Sequence, residues 1–327
     1  MIITRTPFRV SFAGGGTDLP SFYESEPGAV LSTGINKYMY LTVKERFGNT
    51  FRVSYSRTEL ADTIEKIEHP LVRECLRSLE IPKGLEIVSV ADLPSNSGMG
   101  SSSAFTVGML HALQAFHGRL VTPHRLAEQA CRIEIDVLHE PIGKQDQFIT
   151  AYGGLKFIQF QPDGTVFVDP VISSRGTWEE LNRRLLLFFT GMTRNAGDVL
   201  AKQKANTEQV RPMLRKLRQI AHDLRDILTL GKDLNEFGRL LHTAWETKKS
   251  LESSISNGKI DDYYNRGLTA GALGGKLLGA GSGGFLLFFC EPHLQNRLRT
   301  ALAELIEVPF QLEPEGSKVI FVGGDRC

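Results

Sequence analysis

The stretch Leu93-Pro94-Ser95-Asn96-Ser97-Gly98-Met99-Gly100-Ser101-Ser102-Ser103-Ala104 decides how the chain is read. Before it, Leu85–Leu93 has the β-rich character of a strand. After it, Ala104–Phe116 places Phe105, Met109, Ala112, Leu113 and Phe116 at helical spacing. The order is therefore strand, Gly/Ser loop, helix. A helix N-terminus offers unpaired N–H groups and about half a positive charge. Glycines let the backbone approach a polyphosphate closely, and serine hydroxyls donate to phosphate or ligate Mg²⁺. The same residues would also serve an ordinary Ser-capped helix after a turn, so the loop alone leaves both readings open.

Two other phosphate or nucleotide motifs fail on context. The P-loop pattern GxxxxGK followed by Ser or Thr is absent, because Gly274-Gly275-Lys276 runs into Leu277. A GxGxxG spacing occurs at Gly279, Gly281 and Gly284, but it precedes the apolar run Phe285–Cys290, a strand, where a dinucleotide fold needs a helix. Neither HRD nor DFG occurs, which disfavours a protein kinase.

Around the loop, Ile2–Phe12 reads as a strand entering Ala13-Gly14-Gly15-Gly16-Thr17-Asp18, and Tyr38–Arg46 as a second strand. Leu71–Leu79 carries a helical pattern. Thr122-Pro123 opens a helix to about His139, with Thr as N-cap and Pro at the first position. Gly153–Gln161 and Thr165–Asp169 form a hairpin around Asp163-Gly164. Ser173–Trp178 is polar and turn-like, which places a domain boundary there, with domains 1–175 and 176–327. Beyond it come a buried strand at Leu185–Thr190 and helical stretches at about Ala196–Thr229, Asp233–Ser254 and Ile260–Lys276. The strand Phe285–Cys290, a helix Leu294–Ile306 and a final strand Val319–Gly323 follow. Strands separated by helices fit an α+β fold in two domains.

The 327 residues agree with that count at roughly 100–200 residues per domain. The net charge of +1 gives no sign of nucleic acid or of an anionic membrane surface as partner. Arg211, Arg215, Lys216 and Arg218 read as one solvated helical face. Met1–Phe12 lacks the apolar core of a signal peptide, and no stretch approaches the ~18 apolar residues of a membrane helix. Cys75, Cys131, Cys290 and Cys327 have no metal-type spacing and read as reduced thiols, so the expectation is a cytoplasmic protein. The histidines form no HxxxH or HExxH pair, which disfavours a protein-held zinc.

Three segments, in order, resemble the GHMP kinases, the family of galactokinase, homoserine kinase, mevalonate kinase and phosphomevalonate kinase. Thr6-Pro7-Phe8-Arg9-Val10-Ser11-Phe12-Ala13-Gly14-Gly15-Gly16-Thr17-Asp18 is similar to its substrate motif. Pro94–Ala104 is similar to its phosphate motif, and Lys276–Phe285 to its C-terminal glycine motif. Galactokinases carry Glu-His where this chain has Gly15 and Gly16. The Gly-Gly-Gly-Thr-Asp form, with Gly28–Tyr38, looks like the D-glycero-D-manno-heptose 7-phosphate kinase branch, and the fucokinase branch has a similar glycine pair. The resemblance implies a ribosomal-S5-like N-terminal domain and a ferredoxin-like C-terminal domain with the active site between them. It implies transfer of the ATP γ-phosphoryl group, with Mg²⁺, to the anomeric hydroxyl of a sugar phosphate.

It also implies roles. Asp146 stands at the base position of Gly143-Lys144-Gln145-Asp146-Gln147, and Arg9 at the basic position of the first motif. Ser102 aligns with the serine that reaches Mg²⁺, and Glu134 with its acidic partner. Pro94, Ser97, Gly98, Met99, Gly100, Ser101 and Ser103 would cradle the nucleotide. Asp18 would accept from a sugar hydroxyl, with Gly14, Gly15, Gly16 and Thr17 around it. Gly279, Gly281, Gly283 and Gly284 would let the second domain's backbone approach the site. A 7-phosphate needs cations, and the candidates are Lys37, Arg194, Lys248 and Lys249. The alternatives are a kinase for an unphosphorylated sugar such as L-fucose and, more remotely, a sugar sensor without turnover. The sequence leaves the choice between monomer and homo-oligomer open.

Overall fold

The computed structural model describes residues 1–81, 84–192 and 207–323. Two sheets organise it. The first is built on β1 (Ile2–Ala13) and β2 (Gly28–Glu45), antiparallel along most of their length. Further along the chain follow β3 (Phe51–Ser54), β4 (Thr58–Ala61), β5 (Leu85–Ala91), β6 (Leu155–Phe160) and β7 (Val166–Pro170). The sheet runs β12-β1-β2-β5-β3-β4, where β12 is the last strand, Lys318–Val322. β6 and β7 branch from the first half of β2. The last described strand therefore belongs to the first sheet, although the sequence division placed 318–322 with the second domain.

β2 is longer than the expected strand at Tyr38–Arg46. Its first half, Gly28–Ile35, is buried throughout. A strand covered on both faces loses the alternation that marks a half-exposed one. On the first sheet lies the helix Ser101–Phe116, which starts three residues earlier than its apolar spacing suggests. It is apolar on all sides because it packs on β1 and β2 and also on the helices Pro70–Ser78, Pro123–Cys131 and Gln145–Tyr152. The helix that starts at Pro123 is capped by Thr122, as read. It widens into a π turn at Arg132–Val137.

The second sheet contains β8 (Leu185–Phe189), β9 (Ala272–Leu277), β10 (Phe285–Cys290) and β11 (Ile306–Glu307), all antiparallel in the order β11-β8-β10-β9. Counted along the chain this is 4-1-3-2, the ferredoxin-like order. Its helices are Thr207–Leu230, Leu234–Lys249, Gly258–Thr269 and Gln295–Ala301. Ser173–Trp178 is not a turn: Ser174 caps a helix, Arg175–Arg184, through Thr177 N–H. The expected helix Ile260–Lys276 stops at Thr269, and its last residues form β9. Gly271, at φ +111°, reverses the chain. A Cβ on Gly274 would lie 2.0 Å from the Gly238 carbonyl oxygen, so glycine there lets the helix Leu234–Lys249 lie directly on β9. The arginine face is not simply solvated, since Arg211, Arg215 and Arg218 all converge on Glu26 of the first half.

Gly274→Ala is predicted to lower the unfolding free energy by about 1–3 kcal/mol, the usual cost of overpacking. Gly258→Ala, facing open space, leaves it unchanged or raises it by up to about 1 kcal/mol. Urea denaturation of both variants checks this.

Candidate active site

A cavity of about 290 Å³ lies between the two sheets' layers, and both halves line it. On its floor, Arg9 of β1 and Asp146 of the helix Gln145–Tyr152 meet as a two-pronged pair. Nε donates to Oδ1 at 2.7 Å and Nη2 to Oδ2 at 2.7 Å. Arg9 is almost fully buried, while Asp146 keeps 22% of its side chain exposed toward the cavity. Two further contacts fix Arg9 to the Gly/Ser loop: its backbone N–H donates to the Met99 carbonyl at 3.1 Å, and Nη1 donates to the Gly98 carbonyl. Gly100 takes a left-handed conformation, and no side chain caps the helix that starts at Ser101. The first turn, Ser101–Ser103, lines the cavity. A Cβ on Gly100 would press to 3.1 Å of Arg9 Cγ.

Glu134 is buried in the π turn. Ser102 Oγ and Ser103 Oγ donate to its two oxygens, and Gln147 Nε2 adds a bond at 2.6 Å. Burial pushes its carboxyl up to about 7, against the pull of these donors. Asp18 is also buried, and burial raises its carboxyl above the ordinary range, with nearby Asp146 adding to the effect. The Gly16 N–H at 2.9 Å and the Gln145 N–H at 3.3 Å offset part of this. Asp18 therefore stands over the N-terminus of the helix that carries Asp146. Gly143 permits this, because a Cβ there would lie 2.0 Å from Asp18 Oδ2.

The glycines divide by role. Gly14 abuts the Ala29 carbonyl, where a Cβ would come to 2.0 Å. A Cβ on Gly15 would meet nothing nearer than Gln145 Nε2 at 3.5 Å, so Gly15 is the position that leaves room in the cavity. Thr17 does not line the cavity; its hydroxyl donates to the Gly14 carbonyl and ties the loop to β2. Pro94, Ser97 and Met99 shape the phosphate-type loop from outside the cavity wall: Ser97 Oγ donates to the Pro94 carbonyl at 2.6 Å, and Met99 is core. In the C-terminal glycine motif, a Cβ on Gly279 would lie 2.4 Å from Gly98 Cα, and one on Gly284 would lie 2.2 Å from the Ser97 carbonyl oxygen. Gly281 and Gly283 instead face Ile255 and Met192.

Of the four proposed phosphate cations, Lys248 alone among the described residues lines the cavity. Lys37 is on β2 away from it. Lys249 turns aside to Glu246 at 2.8 Å and Asp261 at 3.6 Å. Arg194 lies outside the described residues. Sequence reasoning missed a second lysine: Lys276, quoted only as the start of a glycine motif and read as the end of a helix, is buried and lines the cavity. Its signal, a lysine among glycines and apolar residues, becomes legible only when the segment is seen as a strand. Gln145 was missed as well; its Oε1 accepts from Ser11 Oγ at 2.9 Å. Burial lowers Lys248 to about 8, helped by the nearby Arg9 charge and opposed by Asp18 and Asp146. Burial likewise drives Lys276 well below its ordinary value.

Chemically, the cavity sets cations and a free helix N-terminus beside three carboxylates, Asp18, Glu140 and Asp146, the last of them fixed on an arginine. That arrangement is chemically suited to an anionic group at one end and a hydroxyl-bearing one at the other. No described set of three or more His, Cys, Asp or Glu could cage a metal by itself. Glu134 and Ser102 offer a carboxylate and a hydroxyl side by side, a hard-oxygen set suited to Mg²⁺, which keeps waters and substrate phosphates as its other ligands.

Residues 69–154 match the family model for the GHMP kinases N-terminal domain, and 213–307 match that for the GHMP kinases C-terminal domain. The chain belongs to the GHMP kinases. It is 29% identical to a D-glycero-alpha-D-manno-heptose 7-phosphate kinase of Campylobacter jejuni, covering 92% of this chain and 93% of that protein. It is 27% identical to a bifunctional fucokinase/GDP-fucose pyrophosphorylase of Arabidopsis thaliana over 92% of this chain, which spans 31% of that larger protein. Among solved structures, a D-glycero-D-manno-heptose 1-phosphate kinase of Bacteroides thetaiotaomicron superposes with a TM-score of 0.81 at 25% identity, covering 99% of this chain and 100% of that one. A Lactococcus lactis galactokinase shares the fold, with a TM-score of 0.77 at 18% identity over 97% of this chain and 94% of that one. No helix among the described residues is long and apolar enough to cross a membrane.

The Lys248 environment has a pH signature. Between about pH 8 and 10.5 the unfolded chain keeps the Lys248 proton while the folded chain has released it. Unfolding then takes up a proton, so this group makes wild-type stability rise with pH across that window. The wild-type protein is predicted to gain stability relative to Lys248→Met between about pH 7 and pH 10 in urea titrations; parallel curves would contradict the assignment.

Proposed function

We propose that the chain transfers the γ-phosphoryl group of ATP to the anomeric hydroxyl of D-glycero-D-manno-heptose 7-phosphate, giving the 1,7-bisphosphate. The observation that carries this reading is the Arg9–Asp146 pair, fixed beside the uncapped N-terminus of the helix Ser101–Phe116. The Gly98–Ser103 backbone would hold the phosphates. Ser102 and Glu134 would hold Mg²⁺, which supplies neutralisation of phosphate charge when bound. Asp146 would take the proton of the attacking hydroxyl, or orient and polarise it, with its carboxylate held in place by the two bonds from Arg9. Asp18 would accept from a ring hydroxyl, and Gly15 would leave space for the longer heptose chain. Domains 1–175 and 176–327, with the last strand returned to the first sheet, would close on the two substrates from either side, inside the cytoplasm.

The substrate rests on similarity to the Campylobacter protein. The names of the two heptose kinases differ in acceptor: a heptose 1-phosphate already carries phosphate on its anomeric oxygen and would have to react elsewhere. A second reading, an unphosphorylated sugar such as L-fucose, is favoured by one observation. Of the cations proposed for a 7-phosphate, Lys248 alone among the described residues reaches the cavity.

The test is ADP release from Mg·ATP with D-glycero-D-manno-heptose 7-phosphate, mannose, galactose, L-fucose and mevalonate in parallel. Turnover mainly with the heptose phosphate supports the first reading, and turnover mainly with fucose supports the second. Binding without turnover would mark a sensor. Asp146→Asn is predicted to lower kcat by roughly 10²–10⁴, the size of a general-base loss. Activity within a few-fold of wild type would remove Asp146 from the role.

A further inference from the structure

Lys248, near the C-terminus of the helix Leu234–Lys249, and Lys276, on β9, are both carried by the second half and face the first across the cavity. Lys276 Nζ donates to the Phe12 carbonyl at 2.8 Å, just before the Gly14–Gly16 loop. Lys248 Nζ donates to the Gly279 carbonyl. Among the described residues, neither lysine has a carboxylate within ion-pair distance, whereas the adjacent Lys249 has two. Arg9 is already committed to Asp146. The cavity therefore holds a buried and a half-buried ammonium group that add to the Arg9 charge, with Asp18 and Asp146 near Lys248 but, among the described residues, no carboxylate paired to either lysine. Burying such charge without an anion is unfavourable, and an anion placed between them removes the penalty.

The position of Lys248 says where that anion belongs. It lines the same cavity as Arg9, Asp18 and Asp146, the groups around the point where a hydroxyl would meet a phosphoryl group. Gly279, which accepts from Lys248, packs against Gly98, whose carbonyl accepts from Arg9. Lys248 and Arg9 thus grip the two touching loops from opposite halves. We propose that Lys248 is a further catalytic residue, whose ammonium contacts the non-bridging oxygens of the phosphoryl group in transit. The step forms the bond from the acceptor oxygen to phosphorus and breaks the bond from phosphorus to the bridging oxygen of ADP. The hydroxyl proton goes to Asp146 and ADP leaves. A cation aimed at the moving group stabilises charge spread over its equatorial oxygens, and this one comes from the half opposite the phosphate loop. The inference rests on the phosphoryl-transfer reading above, not on which sugar is the acceptor. The other source of the same chemistry is the acceptor's own phosphate, and the experiment separates the two.

The experiment compares wild type with Lys248→Met, which keeps the chain length and removes the charge. Steady-state kinetics use Mg·ATP and whichever sugar the wild type turns over best. Calorimetry gives the acceptor Kd without nucleotide, for the sugar phosphate and for the same sugar unphosphorylated. The expected result is a kcat lowered by about 10²–10³, the size seen on losing one preorganised donor, with KM for ATP and acceptor Kd unchanged within about three-fold, an interaction made only in the transition state. A kcat within about three-fold of wild type overturns the proposal. So does weaker binding of the sugar phosphate alone, which would make Lys248 a holder of the acceptor's phosphate. If Lys248→Met melts early, Lys248→Arg decides: retained charge predicts kcat within about ten-fold of wild type, and a loss near 10³ overturns the proposal. A wild type that phosphorylates a different sugar refutes only the substrate reading, and one that releases no ADP with any acceptor refutes both.

Discussion

Backbone lies directly on backbone where the two halves meet at the cavity. Gly98 and Gly279 stack so closely that a Cβ on Gly279 would fall 2.4 Å from Gly98 Cα, and Gly284 repeats the contact against the Ser97 carbonyl. Both Gly98 and Gly279 have positive φ, at 79° and 77°, so their conformation and their lack of side chain are required together. Everything in the site hangs from this contact. It sets the Gly/Ser loop over Arg9, sets the helix N-terminus beside Asp146, and brings Lys248 to the same carbonyl row from the other side. A side chain at either glycine would push the halves apart and separate charges that work only at close range.

The second constraint is electrostatic. The cavity gathers Arg9, Lys248 and Lys276 against Asp18, Glu140 and Asp146, with Glu134 buried behind Ser102 and Ser103, and among the described lining residues the ion pair is Arg9 with Asp146. The carboxyls of Asp18 and Glu134 are raised and the lysines lowered, in each case first by burial. Groups of both signs held away from their ordinary titration are characteristic of functional sites more than of packing sites. An incoming phosphate with its metal supplies what each side lacks: negative charge for the lysines and positive charge for Glu134. The site is thus complementary to its proposed substrates and ill-compensated without them.

Much of this was readable from the chain. The loop Leu93–Ala104, the glycines before Asp18, and the Gly143–Gln147 segment carry their chemistry in residue type and order, so the family, the two-domain α+β fold and the residues of the Arg9–Asp146 and Ser102–Glu134 contacts could be named in advance. What could not be read was whatever depends on tertiary contact. The buried half of β2 has no alternation. β9 read as helix because its glycines answer to Gly238 and Leu287, far away in sequence. Lys276 gave no sign of facing the cavity until β9 was seen as a strand. Lys37 and Lys249 had the right charge, but one lies on a distant part of β2 and the other is held by Glu246 and Asp261.

In the proposed reaction this cleft would add a phosphoryl group to the anomeric oxygen of a heptose phosphate. Phosphorus NMR of the product made from D-glycero-D-manno-heptose 7-phosphate and Mg·ATP tests it most directly. The expected result is a new phosphate signal coupled to the anomeric proton, appearing in step with ADP and leaving the 7-phosphate signal in place. ADP formed with the new phosphate on another carbon, or no ADP at all while the acceptor binds, would contradict it.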